Sequence, residues 1–233
     1  MPSTTASVAT TETQPDASKL PAESGRERIL SVAAERFLSA GYVETSLRDI
    51  AADAGMKAGS LYYHFGSKDE LLIAVLERGM SFMVDAFEAA DAAVTTAPSS
   101  SGAGAGAERE RRRLAAHIEG HLEALHGNRE FTAGHVTLFR TAPPAVRDAI
   151  LPLRDEYEGR WSRLLSSLLP KRSAPDITML RLALFGAMNA SIDWLDTDRG
   201  SVAEFARLVT DQFWSGVAAA PATTTGHERG QRQ

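Results

Sequence analysis

Residues 46–65 read SLRDIAADAGMKAGSLYYHF. Ser46, with Asp49 three positions on, makes a capping box, in which the hydroxyl takes an orphan N–H of the first helical turn. Leu47, Ile50, Ala51 and Ala54 follow at helical spacing and predict a short helix that ends at Gly55. Gly55 permits a tight reversal of the chain, and a second short helix is predicted from about Lys57 to Phe65. The small Ala51 and Ala54 side chains let the two helices approach closely. Two short helices joined this way form the helix-turn-helix pattern, whose second helix enters the DNA major groove.

Turning 100° per residue puts Ala58, Leu61, Phe65 and, at the edge, Tyr62 on the buried side of that second helix. Gly59, Ser60, Tyr63 and His64 fall on the outer side. The stretch from Ala54 to Lys68 contains two lysines, Lys57 and Lys68, and no acid. Small residues allow the backbone close to DNA, and Ser and Tyr hydroxyls can donate to phosphate oxygens. Thr45, Ser46 and Arg48 flank the first of the two helices and are placed to meet the sugar-phosphate backbone. Lys68 follows the Ser67 cap, where the helix dipole disfavours a cation and free N–H groups favour an anion. A phosphate docked there would satisfy both. The predicted DNA-facing set is therefore Thr45, Ser46, Arg48, Lys57, Ala58, Gly59, Ser60, Tyr62, Tyr63, His64 and Lys68. Arg26 and Arg28 read as a solvated face.

The same capping signal recurs at Ser24/Glu27, Ser67/Glu70 and Ser201/Glu204. Each is followed by an apolar stripe of helical period, and no segment alternates as a strand would. The helices are expected at about 25–39, 47–54, 57–65, 67–94, 108–126, 129–141, 144–169, 175–196 and 201–218. The fold class is all-α, with about nine helices. Residues 1–23 hold eight Ser or Thr and no aromatic residue, and read as a tail with too little apolar surface to order. APSSSGAGAGA at 97–107 reads as a flexible loop, and 219–233 as a second polar tail.

The chain of 233 residues has 43% hydrophobic residues, enough for a buried core, and contains no cysteine. That excludes disulfides, thiolate zinc sites, Cys nucleophiles and sensing through a thiol. No run is long and apolar enough to cross a membrane. The N-terminus lacks the basic start and apolar block of a signal peptide, so the cytoplasm is the expected location. The formal net charge of −5 argues against an extended phosphate-binding surface. Residues 26–78 carry seven Lys/Arg and eight Asp/Glu, so even this segment is not basic. What matters is the charge on one face. Few phosphates would be neutralised per subunit, and two subunits would be needed.

The segment from Arg28 to Leu72, IL..AAERFLSAGYVETSLRDIAADAGMKAGSLYYHFGSKDELL, resembles the DNA-binding domain of TetR-type transcriptional regulators. The glycines, the LYYHF core and the SKDELL run fall at that family's spacing. Lys57 stands where the family often has Ser or Thr, and Ala58 where it often has a polar residue. The resemblance implies an all-helical homodimer. It also implies three small DNA-binding helices, a connecting fourth helix and a divergent C-terminal domain with a ligand pocket. On this reading residues 24–84 form the DNA-binding domain and 85–218 the ligand-binding and dimerisation domain. The implied partners are a palindromic duplex operator, a second copy of the chain and a small hydrophobic effector, an acyl-CoA or related metabolite among the options. The implied action is a repressor released by that effector. The alternatives are a DNA-binding regulator without an inducer and a small helical enzyme. For the enzyme there is no nucleophile elbow, phosphate loop or paired metal motif. No cofactor is expected.

The last two predicted helices have broad apolar faces. Leu180, Leu184, Met188 and Trp194 on one, with Phe205, Val209 and Phe213 on the other, are expected to form an intersubunit four-helix bundle. Pocket candidates are His117, His121, Phe131, His135, Phe139, Tyr157, Trp161, Met188 and Asn189, because small-molecule sites are mostly apolar with a few polar groups. His117 and His121 have the i, i+4 spacing of metal ligands, but the string is HIEGH and no obvious third ligand follows, His135 being the one candidate. No metal is expected.

Overall fold

The computed structural model describes residues 25–96, 104–197 and 200–219. The expected N-terminal tail, the Ser24 cap, residues 97–103 of the expected loop and 220–233 of the expected C-terminal tail lie outside them, while Ala219 still belongs to the last helix. The described residues form nine α-helices and one short 3-10 turn, with no strand. The helices are α1 (Gly25–Ala40), α2 (Leu47–Asp53), α3 (Ala58–His64), α4 (Lys68–Thr96), α5 (Ala105–Gly127), α6 (Arg129–Thr137), α7 (Pro144–Leu168), α8 (Ala174–Trp194) and α9 (Val202–Ala219). The expected 97–107 loop is shortened at its end. Gly104 takes φ +87, and residues 105–107 already belong to α5, extended from the Ala-, Glu- and Arg-rich run that follows them.

Local chemistry sets the boundaries near the helix-turn-helix. Gly41 and Gly55 both take positive φ, at 84° and 65°, which glycine adopts without a Cβ clash. Ser46 and Asp49 form the capping box reciprocally. At α4 the Ser67 hydroxyl accepts from the Glu70 N–H at 3.0 Å, while the Glu70 carboxylate takes the N–H of Gly66. A further box, Ser173 with Asp176, starts α8 with a proline in its first turn.

Two hydrophobic clusters organise the chain. One joins Ile29, Leu30, Ala33 and Phe37 of α1 to Ile50 and Ala51 of α2, to Leu61 and Phe65 at α3, and to Leu71, Leu72, Val75 and Leu76 of α4. It extends into Phe131 of α6 and Val146 and Ile150 of α7. The other begins further along α4 at Met80, Met83 and Phe87 and takes in the inner faces of α5, α7, α8 and α9. α4 therefore belongs to both cores. Trp161 at the centre of the second cluster is fully buried. Burying so large a side chain contributes on the order of a few kcal/mol.

Candidate functional site

The outward face of the helix-turn-helix is open. Ser46, Arg48, Lys57, Gly59, Ser60 and Tyr63 are exposed, Tyr63 to 88%, and Ala58 and His64 are partly exposed. Leu61 and Phe65 are buried beneath. The Arg26 guanidinium lies over the Phe65 ring at 5.1 Å and covers that end of the core. The Arg36–Asp53 ion pair ties α1 to α2. Tyr63 and His64 meet edge to face at 5.3 Å. Tyr62, expected at the buried edge, is 54% exposed. Leu61 and Phe65 fill the contact with the core, and the edge of a seven-residue helix is left uncovered.

Two members of the predicted DNA-facing set point inward. Thr45 is buried, and its hydroxyl donates to the Gly41 carbonyl at 2.8 Å. The Lys68 ammonium donates to the carbonyls of Tyr42 at 2.8 Å and Thr45 at 2.9 Å, and lies 4.3 Å over the Tyr42 ring. Tyr42 in turn donates its hydroxyl to Asp69. Burial and that carboxylate push the Tyr42 phenol up from its usual range. Lys68 thus gathers the α1–α2 turn against the start of α4. The expectation of a phosphate at Lys68 weighed only its own helix end and missed the carbonyls brought to it by the fold. The Ser46 hydroxyl is likewise engaged by its cap with Asp49.

A second site lies between α4, α5, α6, α7 and α8. It is a narrow cavity of about 50 Å³ lined by Met80, Met83, His121, Leu125, Thr132, His135, Val136, Arg154, Tyr157, Glu158, Phe185 and Asn189. Four of the predicted pocket residues meet there, His121, His135, Tyr157 and Asn189. The His121 ring is bound on both sides, with Nδ1 2.9 Å from the Tyr157 hydroxyl and Nε2 3.1 Å from Asn189 Oδ1. Because that Asn oxygen must accept, His121 donates from Nε2 and accepts from Tyr157 at Nδ1. Burial pulls the His121 pKa down to about 4, against the opposing Asn189 hydrogen bond. Burial likewise lowers His135 to about 4, and its Nε2 donates to the Leu76 carbonyl at 2.6 Å.

The other predicted pocket residues are placed elsewhere. Trp161 and Met188 are fully buried core. Phe131 packs against Phe82 at 5.8 Å, and Phe139 lies beneath the Arg154 guanidinium at 4.3 Å. His117 is buried against Phe87 and Trp161, donates from Nδ1 to the Arg113 carbonyl and brings Nε2 to 3.3 Å from Asp91. The described residues bring no three ligating side chains together. The cavity walls that were not anticipated are Met80 and Met83 of α4, Thr132 and Val136 of α6, Arg154 and Glu158 of α7, Leu125 and Phe185. An Arg and a Glu at i, i+4 in α7 read from sequence as a solvent pair.

On α8 a turn of 100° per residue separates two faces. Ile177, Leu184, Met188 and Ile192 are buried in the chain's own core, and Arg181 is held there by Glu158. Met179, Leu182, Ala183, Gly186, Ala187 and Ala190 lie on the opposite, exposed face. Leu184, Met188 and Val209 of the predicted dimer set therefore face inward. Leu180, Phe205 and Phe213 are partly exposed and Trp194 is 58% exposed. A surface groove of about 450 Å³ runs between α8 and α9 past Met179, Leu180, Ala183 and Phe213.

Comparison with known proteins bears on both halves. Residues 29–75 match the model for bacterial regulatory proteins of the tetR family, and 107–217 match a tetracyclin repressor-like C-terminal domain. The HTH-type transcriptional repressor KstR2 of Mycolicibacterium smegmatis is 38% identical over 74 residues, 32% of this chain and 36% of that protein. The chain thus spans about a third of KstR2. The HTH-type transcriptional activator FasR of the same organism is 26% identical over 210 residues, 88% of each chain. The solved TetR family regulator PfmR of Thermus thermophilus superposes with a TM-score of 0.66 at 26% identity, covering 81% of this chain and 95% of that one. With an exposed helix-turn-helix at one end and a helical C-terminal body behind it, matched in that order, the chain belongs to the TetR family and is a DNA-binding transcriptional regulator.

Proposed function

We propose that the chain is a homodimeric repressor that grips a palindromic operator and is released by a small apolar effector. Gly59, Ser60, Tyr62, Tyr63 and His64 of α3 are the base-facing and backbone-facing set, with Ser46, Arg48 and Lys57 at the flanks. Thr45 and Lys68 hold the turn that positions them. The partner copy covers the α8–α9 face, where a stripe of small residues flanked by Met179 and Leu182 allows close helix packing.

The single observation that carries the effector is the position of the cavity. Its walls include Met80 and Met83 of α4 and Thr132, His135 and Val136 of α6. α6 is fastened to α4 by the His135–Leu76 hydrogen bond and by the close approach of Gly79 to Phe131. At about 50 Å³ the cavity holds a few waters, whereas ligand sites run to about 300 Å³ or more. A larger occupant must therefore open the packing around the cavity, and α4, one of its walls, carries the DNA-binding core. A ligand that binds the opened packing better shifts the population away from the DNA-competent arrangement.

Selection of bound duplexes from a random pool tests the reading. Inverted repeats should be recovered, with half-site centres about 34 Å, or a multiple of that, apart. Recovery of single, non-repeated sites would overturn the homodimeric reading. FasR, matched along 88% of its length, is named an activator, and this gives the second reading, in which the same DNA binding raises transcription. A reporter driven by the selected site, with and without the protein, separates the two by sign.

A further inference from the structure

The cavity contains one charged group without a counter-ion. Arg154 lines it from α7, partly buried, with its guanidinium over the Phe139 ring at 4.3 Å and one N–H donated to the His135 carbonyl at 2.9 Å. Among the described residues no carboxylate comes within 4 Å of it. Burial pulls the Arg154 pKa below its usual value, with Glu158 and Asp155 acting the other way. Glu158, one helical turn further on, is the other charged wall residue, and its carboxylate is taken by Arg181. The remaining titratable walls are neutral near pH 7. His121 and His135 are held uncharged by burial, and the Tyr157 phenol is pushed up by burial. With Glu158 engaged by Arg181, the Arg154 guanidinium is left without a direct ion pair at this end of the cavity. Thr132 and Asn189 are polar walls already hydrogen-bonded, and Met80, Met83, Leu125, Val136 and Phe185 are apolar. Two unbranched methionines can re-pack around a slim guest.

We propose, on the reading that this cavity is the effector site, that the effector is a free carboxylic acid with a slim apolar body, its carboxylate paired with Arg154. A partly buried guanidinium without an ion pair favours an anionic head, because the charge-assisted bond forms partly away from bulk water. One spare positive charge matches one carboxylate. A coenzyme A ester carries no carboxylate at its acyl end and brings more phosphate charges than the one free guanidinium of this cavity can meet.

The test uses full-length protein with decanoic acid, decan-1-ol, methyl decanoate and decanoyl-CoA, all below their micelle concentrations. Calorimetry gives the affinity of each, and a gel shift on a selected operator gives its effect on DNA. The acid is expected to bind about tenfold or more tighter than the alcohol or ester. Arg154→Gln should weaken the acid by a similar factor and leave the alcohol within about twofold. Arg154→Lys, which keeps the charge, should retain part of the preference and guards against a folding defect in the first variant. Equal binding of acid and alcohol, an acid preference that survives Arg154→Gln, or tighter binding of the CoA ester would each overturn the proposal. If the alcohol or CoA ester then still releases DNA, the effector site itself stands. If none of the four compounds gives heat or alters DNA affinity, the effector reading falls as well.

Discussion

A Cβ placed on Gly79 would meet the Phe131 carbonyl oxygen at 2.6 Å, a separation that real Cβ atoms do not show. α4 and α6 touch backbone to backbone there, beside the His135–Leu76 hydrogen bond. Gly79→Ala must push the two helices apart, since the obstacle is main chain and not a flexible side-chain end. The expected loss is about 1–3 kcal/mol of stability, the usual range for overpacking, with a change in operator affinity because α4 shifts. Thermal melting and a gel shift check both. A melt identical to wild type would show that the contact is looser than described.

Tyr63 and Lys68 should separate contact from support. Tyr63 is 88% exposed, so Tyr63→Ala should leave stability within about 0.5 kcal/mol and lower operator affinity about tenfold or more. Lys68→Ala removes the donor shared by the Tyr42 and Thr45 carbonyls, and should destabilise the fold by about 1–3 kcal/mol while also weakening DNA binding. If Lys68→Ala weakens DNA binding with an unchanged melt, the ammonium acts on phosphate and the turn does not depend on it.

Acid should weaken the protein through two histidines. His121 and His135 fall from 6.5 to about 4 on folding, because burial opposes their charged forms. The unfolded chain therefore binds more protons between these values. Their stabilisation is complete above the unfolded value of 6.5, declines as pH falls and is fully lost below about 4. Each shift corresponds to an effect on the order of 3 kcal/mol. Denaturant melts across this window should show the decline, and His121→Gln should flatten part of it. A stability that is level from neutral pH to pH 4 would contradict the neutral, buried state of these rings.

The two faces of α8 predict opposite phenotypes. Met179 is 64% exposed and Leu182 56% exposed, and Glu at either should yield a folded monomer with little operator affinity. Leu184 and Met188 are buried in the chain's own core, and Ala at either should cost about 2–5 kcal/mol and lower the melting temperature. Light scattering with calorimetry distinguishes them. A Met179→Glu protein that stays dimeric would move the interface off this face.

Much of this was legible in the residues. Gly41, Gly55, the Ser46–Asp49 box and the buried Leu61–Phe65 pair are local devices, and spacing alone reveals them. What escaped depends on partners distant in sequence. The carbonyls that claim Lys68 lie in the α1–α2 turn, and the neighbours that draw Leu184 and Met188 inward lie on other helices. A stripe identifies an apolar face without saying which body covers it. His121, Tyr157 and Asn189 stand out as polar or aromatic groups suited to a pocket wall, while Arg154 and Glu158 escape because i, i+4 pairs of opposite charge are common on solvated faces. The Ser173–Asp176 box is there to be read, hidden by a proline that looks like a break but sits in the first turn of α8.

α4 runs unbroken for 29 residues from Lys68 to Thr96, a rod of roughly 43 Å at 1.5 Å per residue. The three small helices are seated on its first third and the cavity touches its middle. A displacement at Met80 and Met83 is thus delivered close to the mounted end of a lever. A tilt of roughly 5° about the Thr96 end swings the Lys68 end, where the small helices sit, by roughly 4 Å. That is about the rise of one base-pair step, enough to carry the α3 helices of the proposed dimer out of phase with successive grooves. The tolerance of such a reader is set by the pitch of the duplex, and a guest of a few carbon atoms is large on that scale.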